Sequence, residues 1–219
     1  MLKHSYHARL SFWHVVLAVV LLAVALPLLA TETAPERTLA QADRNMRSAL
    51  DTFRPVLRQH PGYVVSLADE YLAPLVDMDT AARLALGRHW RSADASQRTR
   101  FREEFRRLLL RNYSLLLANH LQRHDLPRYR IVFRPVRTDT SENYRRLRSV
   151  FRIPHRADVP VDYALHRVHG QWRVYDVSIG GVSLLHTYRA VFESRLRSVA
   201  LDDLIDQIAR QNRRPVSAG

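Results

Sequence analysis

The chain has 219 residues, 47% of them hydrophobic and 25% charged, a balance that supports one buried core and excludes an intrinsically disordered chain. It carries 34 Lys+Arg against 21 Asp+Glu, a formal +13 at pH 7, and Lys3 is its only lysine, so the basic character is almost wholly arginine. With no cysteine and only six glycines, it has no route to disulfides, Cys-ligated zinc, iron–sulfur centres, a thiol nucleophile or a lipidated amino-terminal cysteine.

In chain order, Lys3 and Arg9 precede an uncharged apolar run at residues 15–30, and Thr31, Glu32 and Thr33 follow at once. This basic, apolar, polar order is that of a secretory signal. Residues 1–30 are therefore expected to be a signal peptide and 31–219 a single domain that works outside the cytoplasm. Ala30 suits the last position before cleavage, whereas Leu28 stands where a small residue is preferred, which leaves an uncleaved membrane anchor as the alternative.

Leu39, Ala42, Met46, Ala49, Leu50, Phe53 and Leu57 recur at helical spacing, with Arg44, Arg47, Asp51 and Arg58 between them, and predict an amphipathic first helix. Pro55 requires a kink or an end near Phe53. A short second helix is expected over 64–76, and a third, capped by Asp77 or Asp79, ends at Gly87. The strongest pattern lies at 95–121, where Phe101, Phe105, Leu108, Leu109, Tyr113, Leu116, Leu117 and Leu121 form one stripe and arginines fill the opposite face.

After Pro127 the period changes from 3.6 to 2. Tyr129, Ile131 and Phe133 alternate with arginines, as do Leu147, Phe151 and Ile153, which predicts two half-buried strands joined by a polar turn at 139–143. A hairpin follows, with arms at 159–165 and 172–179 and a turn at His169 and Gly170. Ser183 is positioned to cap a helix carrying Leu185, Tyr188, Phe192 and Leu196, and a last helix holds Leu201, Leu204, Ile205 and Ile208. Helices, then strands, then helices predict an α+β domain, with an antiparallel sheet of about four strands packed with about six helices.

Catalytic signatures are missing from this pattern: there is no G-x-S-x-G, no H-E-x-x-H and no glycine-rich phosphate loop. His120 and His124 lie four apart, but no Asp, Glu or Cys stands beside them at ligand spacing, so they read as solvated histidines and no metal site is expected. Asp162, His166 and Asp176 have no nucleophile to serve and read as salt-bridge or turn partners. Arginines spread over every element rather than one face, together with the signal, speak against nucleic acid. An anionic membrane surface or an acidic docking protein suits the charge better, and ordinary solvated faces are the plainer alternative.

Two stretches carry a resemblance. The segment ARLALGRHWRSADASQRTRFREEFRRLLLRNY from Ala82, followed by VDYALHRVHGQWRVYDVSIGGVSLLHTYRAVF from Val161, resembles the MlaC (toluene-tolerance) family of periplasmic phospholipid-binding carriers. The residues that carry it are Leu86, Gly87, Trp90, Gln97, Arg98, Phe101 and Tyr113, then Trp172, Tyr175, Asp176, Gly181, Val182, Ser183, Tyr188 and Phe192. The likeness runs from about Leu39 to Ile208. Gly180 departs from it, since the family often has an acidic residue there, and leaves open the subfamily associated with hopanoid-producing membranes.

The resemblance implies a periplasmic, non-enzymatic carrier with no cofactor and with phospholipid as cargo, its acyl chains held in an apolar cavity between sheet and helices. It further implies shuttling between an outer-membrane lipoprotein–porin complex and an inner-membrane ABC transporter complex with a substrate-binding ring. A hopanoid-associated binding protein, or a membrane-complex adaptor without phospholipid transport, is the alternative. The apolar residues expected to line such a cavity are Leu86, Trp90, Phe105, Leu109, Tyr113, Leu116, Phe133, Phe151, Tyr163, Val174, Tyr175, Val177, Val182 and Leu185.

Overall fold

The computed structural model describes residues 34–60, 62–123, 130–134, 141–152, 154–155 and 157–214, without the side chains at 34, 113 and 115–123. The expected signal segment, His124, Tyr129, Ile153 and residues 139 and 140 of the expected turn lie outside the described residues.

Helix α1 (Ala34–Thr52) ends where Pro55 requires it, and α2 (Arg54–Gln59) starts afresh with that proline in its first turn, where a missing N–H costs nothing. The expected helix at 64–76 divides for the same reason. Helix α3 (Tyr63–Tyr71) gives way at Pro74 to a 3₁₀ turn, Ala73–Leu75. Val76 then forms a parallel bridge to Val174 of the sheet, and the Asp77 amide donates to the Val174 carbonyl at 2.8 Å.

Of the two possible caps for α4 (Met78–Leu86), Asp77 is the one used: its carboxylate accepts from the Thr80 amide at 3.0 Å. Asp79 instead pairs with Arg102 at 2.7 Å. Gly87 terminates α4 with φ +60°, a backbone that a side chain disfavours. After the single turn α5 (His89–Ser92), Asp94 and Gln97 exchange amide and side-chain hydrogen bonds at 2.8 and 3.1 Å. This reciprocal pair opens α6 (Ala95–Arg123), 29 residues long and so about 44 Å at 1.5 Å per residue.

Five strands follow in an antiparallel meander, each beside its sequence neighbour: β1 (Arg130–Arg134), β2 (Tyr144–Arg152), β3 (Val159–Val168), β4 (Gln171–Ile179) and β5 (Val182–Ser183). The β3–β4 turn puts His169 and Gly170 at φ 49° and 79°, the left-handed pair that suits the twist of a two-residue hairpin. A register shift at Ala164 and Leu165 displaces Tyr175 from the ladder. Ser183 caps α7 (Leu184–Arg195), accepting from the His186 amide at 3.0 Å, and α8 (Leu201–Asn212) closes the described chain.

The described residues thus form an α+β fold of eight helices and five strands, the additions to the sequence expectation being the two fragments made by prolines, the one-turn α5 and the two-residue β5. Apolar side chains gather in two clusters. One joins α1 and α3 to the inner sheet face through Met46, Leu50, Leu67, Phe151 and Leu165. The other joins α4, α6, α7 and α8 around Phe101, Phe105, Phe192 and Ile205, with aromatic centroids 5.4 to 5.7 Å apart.

On the outer sheet face the pattern inverts. Arg130 stands directly across from Arg152, and Arg134 across from Arg148, pairs of like charge that oppose strand association. Arg152 reaches Asp158 at 3.4 Å and Arg148 reaches Asp162 at 3.5 Å. No carboxylate partners Arg130 or Arg134 among the described residues.

Candidate functional site

Where the two clusters meet they do not close. An apolar cavity of about 200 Å³ occupies the seam. Leu39, Ala68, Tyr163 and Val174 face it from the first cluster, Ala81 and Leu185 from the second, and Leu109, Leu110 and Leu72 from the partly buried margins of both. Helix α6 runs along the seam and serves both sides, since Leu110 packs on the first cluster and Leu109 on the second.

Polar groups hold the frame of this cavity. At its β4 side the Asp176 carboxylate accepts from the Val177 amide at 2.8 Å, the Leu185 amide at 3.2 Å and the Ser183 hydroxyl at 2.6 Å. One carboxylate therefore fixes the first turn of α7 to the sheet, where the helix dipole also favours a negative charge. The Asp77 cap of α4 meets His166 of β3 at 2.6 Å, with both side chains largely buried. The His166 ring in turn lies 5.1 Å from that of Tyr175 on the cavity wall. Arg106, half exposed where the wall meets solvent, pairs with Asp69 of α3.

Tyr163 is a buried residue on the sheet side of the wall. Burial pushes its pKa well above the ordinary phenol range, the bond to Ser149 opposes that rise, and the nearby Asp43 charge adds to it. It stays neutral, which suits an apolar surround. Among the described residues no group of His, Asp and Glu is arranged to hold a metal ion. Asp162, His166 and Asp176 are engaged separately: they pair with Arg148, Asp77 and Ser183 respectively.

Of the residues expected at a cavity, Leu109, Tyr163, Val174, Tyr175, Val177 and Leu185 lie on this wall. Phe151, Phe105 and Leu86 are buried in the two cores, Phe133 packs beside the first and Trp90 beside the second, and Val182 is exposed. The side chains of Tyr113 and Leu116 lie outside the described residues. Leu39, Ala68, Leu72, Leu75, Val76, Met78, Ala81 and Ser114 join the wall without having been singled out in sequence. For most of them no signal existed, because an apolar position in a helix or turn reads the same whether it meets side chains or empty space. Ser114 is the exception, a hydroxyl set in the leucine-rich run of α6.

A family model described as MlaC protein matches residues 41–210. The chain belongs to the MlaC family. It is similar to the intermembrane phospholipid transport system binding protein MlaC of Haemophilus influenzae, 24% identical over 212 residues that span 95% of this chain and 96% of that one. Among solved structures it is similar to the phospholipid-binding protein from Ralstonia solanacearum, determined in complex with a phospholipid, at a TM-score of 0.67 and 25% identity over 83% of this chain and 97% of that chain. Membership of the MlaC family thus rests on most of the chain, both core clusters and the seam between them included.

Proposed function

We propose that this protein is a periplasmic phospholipid carrier that holds acyl chain in the seam cavity and leaves the head group at the solvent side. The observation that carries the reading is the cavity itself, apolar, framed by paired polar groups and lying between two cores. The phospholipid bound by the Ralstonia relative, and the transport system named for the Haemophilus relative, support the same cargo.

Physics makes such a carrier useful. Two acyl chains hold roughly 30 methylenes, and at about 0.8 kcal/mol each their exposure to water costs on the order of 20 kcal/mol. An apolar pocket replaces one hydrocarbon surround by another, so loading and unloading both proceed near balance. The cavity's volume of about 200 Å³ is below the roughly 300–1,000 Å³ of ordinary ligand pockets. A diacyl lipid therefore enters with separation of the two clusters along the seam, against the Asp77–His166 pair and the Asp176 bonds to α7 that cross it.

The finer reading is a shuttle between an outer-membrane lipoprotein–porin complex and an inner-membrane ABC transporter complex with a substrate-binding ring. It performs no covalent chemistry in this reading, which the engagement of Asp162, His166 and Asp176 in structural pairs supports. Mass spectrometry, native and then denaturing, of protein purified without detergent tests the carrier. The expected result is a stoichiometric adduct that extracts as intact diacyl phospholipid. An apo mass with no uptake from liposomes overturns the carrier, and an extracted hopanoid replaces the cargo.

A further inference from the structure

We propose that Ser114 recognises the ester linkage of the cargo, its hydroxyl donating a hydrogen bond to an acyl ester carbonyl in the loaded protein. The inference rests on the carrier reading and adds a chemical requirement to it. Ser114 lines the cavity and is 0% exposed, and its hydroxyl has no hydrogen-bond partner among the described residues.

Helices usually offer serine a partner in the carbonyl one turn back, and Ser114 leaves that bond unmade. Other polar side chains of the wall are engaged: Arg106 with Asp69, Tyr163 with Ser149, and Asp176 with Ser183 and two amides. A buried hydroxyl left unpaired is unfavourable. Bound water is a poor remedy, because a buried water needs two or more polar partners and the lining residues one turn back on the same helix, Leu109 and Leu110, are apolar.

The complement of Ser114 is a lone acceptor carried on an otherwise apolar ligand. In a diacyl phospholipid the ester carbonyls are such acceptors, set at the head of the acyl chains. A dialkyl ether lipid of the same length and head group lacks the carbonyl and leaves the hydroxyl unpaired, a discrimination that polar sites make far better than apolar ones.

The test offers the delipidated protein vesicles containing equal amounts of diacyl and dialkyl ether phospholipids with the same head group and chain length, and quantifies bound lipid by mass spectrometry. The wild type is expected to prefer the ester about fivefold. Ser114→Ala is expected to take both lipids equally and to melt no lower than the wild type, since it removes an unpaired hydroxyl. Ser114→Cys, a weak donor of similar size, falls between them. Equal uptake by the wild type, or a preference kept by Ser114→Ala, overturns the role of Ser114 and leaves the carrier standing. Uptake of neither lipid by the wild type overturns the carrier reading and this inference with it.

Discussion

Phe105 and Leu109 stand one turn apart on α6, yet their surroundings assign them different work. Phe105 is fully buried against Phe101, Tyr188 and Phe192, so Phe105→Ala is expected to cost about 3–5 kcal/mol in a denaturant melt. Leu109 is partly buried and borders the cavity. Leu109→Glu places a carboxylate at the seam and is expected to abolish co-purifying lipid while lowering the melting temperature less than Phe105→Ala. Equal loss of lipid and fold would put Leu109 with the core. A second residue-scale prediction concerns Asp77. Burial alone would raise its carboxyl, but the bonds from the Thr80 amide and hydroxyl and the His166 partner outweigh burial and hold it below the usual range. A group depressed on folding contributes stability that is present above its unfolded value, about 3.9, and lost as pH falls through the folded value. Asp77→Ala is expected to lower stability at pH 7 by about 1 kcal/mol or more, with the gap from wild type narrowing below about pH 4 in a melting series.

Elements were more legible than the site. The change of period after Pro127 announced the sheet, and Pro55, Asp77, Gly87 and Ser183 marked helix ends that the structure uses. The apolar stripe of α6 likewise placed Phe101 and Phe105 inside. What such a stripe leaves open is whether a given position meets another side chain or a void, because burial imposes the same residue types in both cases. Phe151 and Leu109 read alike in sequence, and only the packing of separate elements distinguishes them. Short pieces were hidden for a different reason: α5 and β5 are too brief to show a period. Gly87 supplies a prediction at this scale. A Cβ there would come within 2.8 Å of the Arg189 guanidinium Nε, which can swing aside, but φ +60° persists whatever the space. Gly87→Ala is expected to destabilise by about 1 kcal/mol or more, read as a lower unfolding midpoint with an unchanged denaturant slope.

For the whole molecule, the seam makes cargo and stability one question. A ligand that binds the native state stabilises it in proportion to the logarithm of its excess over Kd, and a chain lodged between two cores ties them together. Lipid-loaded protein is accordingly expected to melt several degrees above the delipidated form in calorimetry, and refilling it from vesicles to restore the difference. Charge acts at the same scale and in the opposite sense. A chain of formal net charge +13 repels itself, and the facing pairs Arg130 with Arg152 and Arg134 with Arg148 bring that repulsion into the hydrogen-bonded ladder of β1 and β2. The reach of such repulsion shrinks from about 30 Å at 0.01 M salt to about 10 Å at 0.1 M. Sodium chloride should therefore raise the melting temperature of this protein across that range, and a sheet edge frayed in dilute buffer should gain amide protection. The bathing medium supplies, as mobile chloride, negative charge that the sequence leaves out.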